Sequence, residues 1–343
     1  MSIRVMVVDD SFIARAALSR ILSADPVFGE IETAADPIFA MEKMVRQWPD
    51  VIVLDIEMPR MNGITFLKKI MRDRPTPVVI CSAYTNRGAQ ITMQALAAGA
   101  ATVIAKPGQG IGLEESAVDL VHEVKAAYQA NVLRLRTKSR RVPGVVSMNH
   151  DFMKHVIAIG ASTGGTQAIE SVLTSLPYDC PGLVVVQHMP PKFTAAFAAR
   201  LNRVCAIEVR EARDKDKVAQ GLALIAPGGL HMTLFKTGEG YSVRVFEGEP
   251  VNRHRPSVDV LMESVAYVAG SQAVGVIMTG MGDDGARGMK QMRDAGAYTL
   301  AQDESSSVVF GMPREAIRLG GVDKVVGLDK MAMAMLAIRE KGI

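Results

Sequence analysis

Short apolar runs alternate along the chain with longer stretches in which apolar positions recur every three or four residues, the pattern of strands interleaved with amphipathic helices. In the first third the runs are Val5–Val8, Glu30–Thr33, Val51–Leu54, Val78–Ile80 and Thr102–Ala105. Runs spaced by helical stretches predict a parallel sheet with helices on both faces. A second series starts at Val156 and includes Leu183–Val186, Leu224–Ala226 and Val274–Ile277. A helix is expected over Thr166–Leu176, with Ile169, Val172, Leu173 and Leu176 on one face and Pro177 as its stop. Leu234–Val245, with Gly238–Gly240 at its centre, reads as an appended hairpin. From Gln129 to His150 the periodicity fades; Arg134, Arg136, Lys138, Arg140 and Arg141 occur there with no acid, beside a Pro143-Gly144 turn signal. The expected fold class is α/β, with two doubly wound parallel-sheet domains over residues 1–122 and 153–343, joined by a helix end and basic linker over 123–152.

Composition narrows the function classes. A chain of 343 residues fits two domains, taking about 100–200 residues for each as the prior. No apolar run reaches the roughly 20 residues that a membrane helix needs. The amino terminus enters a strand-like run at once and meets two acids, unlike a secretory leader, so a cytoplasmic protein without membrane insertion is expected. Cys81, Cys180 and Cys205 lack C-x-x-C spacing, which points to buried thiols rather than a disulfide framework or a zinc site. A net charge of +3, 5% aromatic residues and no helix-turn-helix pattern argue against a nucleic-acid partner.

The ends of the apolar runs carry the candidate chemistry. In the first series Asp9 and Asp10, Asp55, Ser82 and Lys106 follow successive strands, and open parallel sheets bind ligands at that end. Converging carboxylates repel one another unless a cation lies among them, and oxygen-only donors suit magnesium. A lysine and a small hydroxyl beside them suit a phosphoryl group carried on one acid. Singly, each could be a helix cap or a solvated surface group; the set at one sheet edge is far harder to obtain by accident. Asp9-Asp10, Leu54-Asp55-Ile56-Glu57-Met58-Pro59, Asn62-Gly63, Ser82-Ala83 and Lys106-Pro107 resemble the receiver domain of two-component response regulators. The resemblance implies a flavodoxin-like fold, Asp55 as phosphoacceptor, Mg2+ held by Asp9 or Asp10 with Asp55, phosphoryl sensing by Ser82 and Lys106, and a cis bond before Pro107. One departure from the family is Val103, which stands where many receivers carry an aromatic switch residue.

In the second series, Gly160-Ala161-Ser162-Thr163-Gly164 fits the G-x-S-x-G elbow, in which small neighbours let a tight turn present a nucleophilic hydroxyl. A phosphate-binding turn is the competing reading, but neither G-x-G-x-x-G nor G-x-x-x-x-G-K-[ST] is present. His188 and the acids Asp283 and Asp284 follow two further strands. A serine needs an imidazole to take its proton and a carboxylate to fix the imidazole's tautomer, so Ser162, His188 and one of these acids could form a triad. His231, after another strand and turn, is the main rival to His188; His254, in a basic loop, suits contact with an acidic substrate protein or plain solvent exposure. Backbone amides near Thr163 and Met281 are candidates for an oxyanion hole.

Ile159-Gly-Ala-Ser162-Thr-Gly-Gly165, Gln187-His188-Met189, Ala226-Pro-Gly-Gly229-Leu-His231, Arg255-Pro-Ser-Val-Asp259, Thr279-Gly-Met-Gly282, Asp284-Gly285 and Ser307-Val-Val-Phe-Gly-Met-Pro313 resemble chemotaxis protein-glutamate methylesterases. That resemblance implies a triad of Ser162, His188 and Asp284, the acid being the one next to Gly285, and a Rossmann-like catalytic domain. It further implies hydrolysis of glutamyl methyl esters on methyl-accepting chemoreceptors, in many members also deamidation of glutamines, under control of a chemotaxis histidine kinase acting as phosphodonor to the receiver. The ester chemistry itself requires no cofactor. A different class remains as the alternative: a receiver-controlled binding module that sequesters receptors or other proteins without catalysis.

Overall fold

The computed structural model describes residues 2–58, 61–83, 85–107, 113–133, 155–238 and 240–337, and the chain divides into two compact units, Met1–Thr137 and Lys138–Ile343. Most of the basic stretch, including Arg134, Arg136, Lys138, Arg140, Arg141 and His150, lies outside the described residues.

In the first unit β1 (Ile3–Val8), α1 (Phe12–Ser23), β2 (Phe28–Ala34), α2 (Pro37–Arg46), β3 (Val51–Leu54), α3 (Gly63–Asp73), β4 (Val78–Ser82), α4 (Asn86–Ala97), β5 (Thr102–Ala105) and α5 (Leu113–Gln129) follow one another. The five strands pair in parallel in the order β2-β1-β3-β4-β5, the flavodoxin-like arrangement. Every residue of β3, β4 and β5 is buried, as expected of strands covered on both faces. Helix starts are fixed by side chains: Ser11 accepts from the Ala14 N–H, Asp36 from Ile38 and Phe39, and Asn62 from Ile64. Two sequence expectations change. Strand β4 runs on through Ser82, which is its last residue rather than the first after it. The bond before Pro107 is not cis; the cis peptide among the described residues is Arg255–Pro256.

The second unit contains β6 (Val156–Ala161), α6 (Gly165–Leu173), β7 (Gly182–Gln187), α7 (Phe193–Asn202), β8 (Glu208–Glu211), β9 (Lys217–Val218), β10 (Leu222–Ile225), β11 (His231–Thr237), β12 (Gly240–Phe246), α8 (Val258–Ala269), β13 (Ala273–Ile277), α9 (Ala286–Asp294), β14 (Tyr298–Gln302), α10 (Met312–Arg318), β15 (Lys324–Val326) and α11 (Leu328–Leu336). Seven strands form an all-parallel sheet in the order β15-β14-β13-β6-β7-β10-β8. The chain leaves β6 toward β7 and later returns to lay β13 on the opposite side, so the strand order reverses beside β6, where such sheets open a crevice. The expected hairpin is β11 and β12, and the two-residue β9 extends it to a three-stranded antiparallel sheet. Helix α8 joins that sheet to the main one: Val258, Leu261, Met262 and Val265 are buried with Met232, Leu234 and Val243 in one core, and Ser264 Oγ accepts from the Leu234 N–H.

Helix α6 ends at Leu173, short of the Leu176 expected from periodicity. Thr174 Oγ1 donates to the Glu170 carbonyl at 2.6 Å and Ser175 Oγ to Ser171 at 2.9 Å. Hydroxyls that compete for the last carbonyls favour termination before the proline is reached.

Candidate active site and acidic cluster

The turn after β6 is built by its glycines. Gly164 sits at φ 77°, in the left-handed region, and the Gly165 N–H donates to the Ser162 carbonyl at 2.7 Å, which closes the bend before α6 begins. Ser162, 3% exposed, is tied to the loop after β13 by its own N–H, which donates to the Thr279 carbonyl at 3.0 Å. Thr279 Oγ1 in turn donates to the Thr163 carbonyl at 2.9 Å. Gly280 lies against the serine: a Cβ added there would come within 2.8 Å of Ser162 Cβ and 2.2 Å of Met312 Sδ, so only glycine fits without displacement.

His188 follows β7, and Gln187 fixes its relation to the serine. The buried Gln187 Nε2 donates to the Ser162 carbonyl at 2.9 Å and to the His188 carbonyl at 3.1 Å, linking both residues through one amide. The His188 ring is paired through Nε2 with Asp284 Oδ2 at 2.8 Å, while its buried Nδ1 has no hydrogen-bond partner among the described residues.

The structure distinguishes the two acids after β13. Asp283 is exposed, whereas Asp284 is 2% exposed and saturated with donors. Besides His188 it accepts from Ser257 Oγ at 2.7 Å, Asn252 Nδ2 at 2.8 Å, and the Val258 and Asp259 N–H groups at 2.7 and 3.2 Å. The backbone donors belong to the first turn of α8, where the helix dipole favours a negative charge. Burial works to raise the Asp284 pKa, but His188, Asn252 and the Val258 N–H outweigh it and hold the carboxyl well below the usual carboxylate range.

His231 lies behind this group rather than in it. It is buried, its Nε2 meets the Glu249 carbonyl at 2.9 Å, and its Nδ1 accepts from the Ser257 N–H at 3.3 Å. Its contact with the His188–Asp284 pair is therefore indirect, through Ser257, which also bonds Asp284. Asn252, Ser257 and Gln187 carry the arrangement, yet sequence reasoning gave none of them a role. Ser257 had a signal: its hydroxyl also accepts from the Val260 N–H at the start of α8, the pattern of an N-cap. His254, which the sequence placed in a basic loop, stacks on His188 with ring centroids 3.7 Å apart and planes 15° from parallel.

In the first unit Asp9, Asp10 and Asp55 offer oxygens that lie within 4.8 Å of one another. Lys106 Nζ reaches Asp9 Oδ2 and Asp55 Oδ2, each at 2.7 Å, and one ammonium cannot balance three carboxylates. The uncompensated charge and hard oxygen donors fit a divalent cation. Burial opposes the charge on Lys106, but hydrogen bonds and attraction from Asp55 and Asp9 leave its pKa raised. Asp55 is also raised, chiefly by burial, against the pull of Lys106. Ser82 is 2% exposed at the end of β4, and Val103 is buried in β5.

Two family models match the chain: response regulator receiver domain over residues 5–117, and CheB methylesterase over residues 157–335. A protein-glutamate methylesterase/protein-glutamine glutaminase 2 of Xanthomonas campestris is 56% identical, with 95% of this chain and 98% of the relative covered. The protein of the same name from Albidiferax ferrireducens is 57% identical over 97% of this chain and 99% of its own. Among solved structures, the Thermotoga maritima CheB methylesterase catalytic domain aligns with 53% of this chain and 97% of its own at a TM-score of 0.52 and 34% identity. With both family models matched in the order receiver then esterase and relatives aligned along nearly all of its length, the chain belongs to the CheB methylesterase family.

Proposed function

We propose that the second unit hydrolyses glutamyl methyl esters on methyl-accepting chemoreceptors, and deamidates receptor glutamines, through Ser162, His188 and Asp284. The observation that carries this reading is the buried Asp284 carboxylate bonded to His188 Nε2, with Ser162 at the tip of the adjoining strand. With Nε2–H committed to the acid, the lone pair of Nδ1 is the base. It takes the Ser162 proton as Oγ bonds to the ester carbonyl carbon. The carbon–oxygen bond to methoxide then breaks, and the proton from His188 leaves with methanol. Water adds to the acyl-serine by the reverse proton path, freeing the glutamate carboxylate and Ser162. Asp284 stabilises the imidazolium of both steps, and the Thr163 and Met281 N–H groups are the proposed oxyanion donors. A non-catalytic sequestering module is not favoured, because relatives aligned along nearly the full chain carry enzyme names.

The first unit is the proposed switch. Asp55 would accept a phosphoryl group from a chemotaxis histidine kinase, with Mg2+ held by Asp9, Asp10 and Asp55; the ion would neutralise charge on the transferring oxygens. Lys106 and Ser82 would bind the phosphoryl oxygens, and Val103 leaves the loop after Ser82 to carry the signal. No described helix is long and apolar enough to cross a membrane, in keeping with action in the cytoplasm. Methanol release from methylated receptor, measured with and without acetyl phosphate, tests both parts. Ser162→Ala should abolish release in either condition, and Asp55→Asn should leave a basal rate that no longer responds to the phosphodonor. Release by Ser162→Ala at the normal rate would overturn the nucleophile assignment.

A further inference from the structure

Val251 and His254 exchange backbone hydrogen bonds of 3.1 and 2.9 Å, closing a tight turn whose two central residues, Asn252 and Arg253, have φ of 51° and 68°. Asparagine tolerates that region; arginine adopts it at a cost, so the surroundings must hold the turn in place. They do so through the site itself. Asn252 Nδ2 donates at 2.8 Å to both Asp284 Oδ1 and Asp259 Oδ2, and Asn252 Oδ1 accepts from Arg287 at 3.1 Å. On the far side Arg255 donates to the Gly248 carbonyl at 2.6 Å, and its own carbonyl accepts from the Gly229 N–H at 3.0 Å. One short turn thus grips the acid with its first central residue and lays the ring of His254 flat on His188.

We propose that His254 is a positioning residue for ester hydrolysis, its ring face fixing the plane of the His188 imidazole. Among the described residues the His188 ring has one hydrogen bond, at Nε2, and Nδ1 has no partner. A ring held at one atom can still swing about that bond. A second flat surface 3.7 Å away limits that swing and so narrows the directions in which Nδ1 can face. This inference rests on the reading of His188 as the base.

The test uses the full-length protein, activated by acetyl phosphate, acting on methylated receptor. His254→Ala and His254→Leu should lower kcat on the order of 10- to 100-fold, the scale of loss from a misplaced catalytic group, with KM nearly unchanged. His254→Phe, which restores a flat ring, should recover most of the rate. Referring each rate to the folded fraction from circular dichroism keeps a destabilised variant from mimicking the effect. A rise in KM at constant kcat would make His254 a receptor contact, and a Phe variant as slow as the Leu variant would remove the stacking role; either overturns the proposal. His188→Ala is run alongside. If it retains activity, the base assignment fails; if it is inactive while all His254 variants are normal, only the positioning role fails.

Discussion

The Asp284 carboxylate illustrates how one side chain ties chemistry to stability. Five donors converge on it, and its pKa is lowered in the folded protein. A depressed folded pKa means that the stabilisation is present above the unfolded value of about 4 and is lost as pH falls through the folded one. Wild type should therefore lose stability more steeply than Asp284→Asn between about pH 4 and pH 2, measured by urea denaturation across that range. At neutral pH the same substitution should lower kcat on the order of 10⁴-fold, because an amide in the carboxylate's place favours the wrong imidazole tautomer. Gly280 sets a different limit. A methyl group there collides with Met312 Sδ and Ser162 Cβ, so Gly280→Ala should cost about 1–3 kcal/mol in stability and slow methanol release as the serine is displaced.

Helix α8 acts as a frame at the scale of elements. Its first turn supplies Ser257 Oγ and two backbone N–H groups to Asp284, and its buried face carries the core between the two sheets of its unit. Leu261→Ala should destabilise that unit by about 2–5 kcal/mol, readable in its denaturant midpoint. Ser257→Ala removes both a helix cap and a donor to the buried acid; a stability loss of about 1–2 kcal/mol together with a fall in kcat is expected. Strands β1, β3, β4 and β5 of the first sheet and β6, β7, β10 and β13 of the second were legible in the sequence because they are largely buried and read as unbroken apolar runs, whereas β14 and β15, the latter with two of its three residues exposed, were not picked out. The ends of β6 and β7 were legible too, since Ser162 and His188 stand directly after them, whereas Asp284 lies in the longer loop after β13. Strands β8 and β9 were not: Glu208–Glu211 carries three charged residues at a sheet edge, and Lys217–Val218 is too short for any period to show. Asn252 and His254 were illegible because their positions depend on a left-handed turn formed by Asn252 and Arg253, which no hydrophobic pattern encodes. Between Asp283 and Asp284 spacing alone could not choose, because the decision rests on donors from a helix some 25 residues upstream.

For the whole molecule, the two units repeat one architectural idea with different chemistry. In each, a parallel sheet places its candidate groups at or beyond the carboxyl ends of neighbouring strands, Asp9, Asp55, Ser82 and Lys106 in one and Ser162, His188 and Asp284 in the other. Because the proposed phosphorylation and ester chemistries share no residue, they should separate by mutation. Lys106→Ala should abolish the response to acetyl phosphate without lowering the unstimulated methanol-release rate, whereas His188→Ala should abolish release and leave phosphoryl uptake at Asp55 intact, as followed with labelled phosphodonor.

The margins of the larger sheet have a consequence of their own. One outermost strand, β8, presents Glu208, Arg210 and Glu211, with Arg210 engaged by Glu208 and Asp216; the opposite one, β15, has three residues. A foreign strand seeking to extend the ladder would have to strip water from those ionic groups or settle for a handful of bonds. Such borders discourage fibril-like stacking between copies, a safeguard suited to a protein whose broad, uniformly parallel sheet would otherwise offer two open templates.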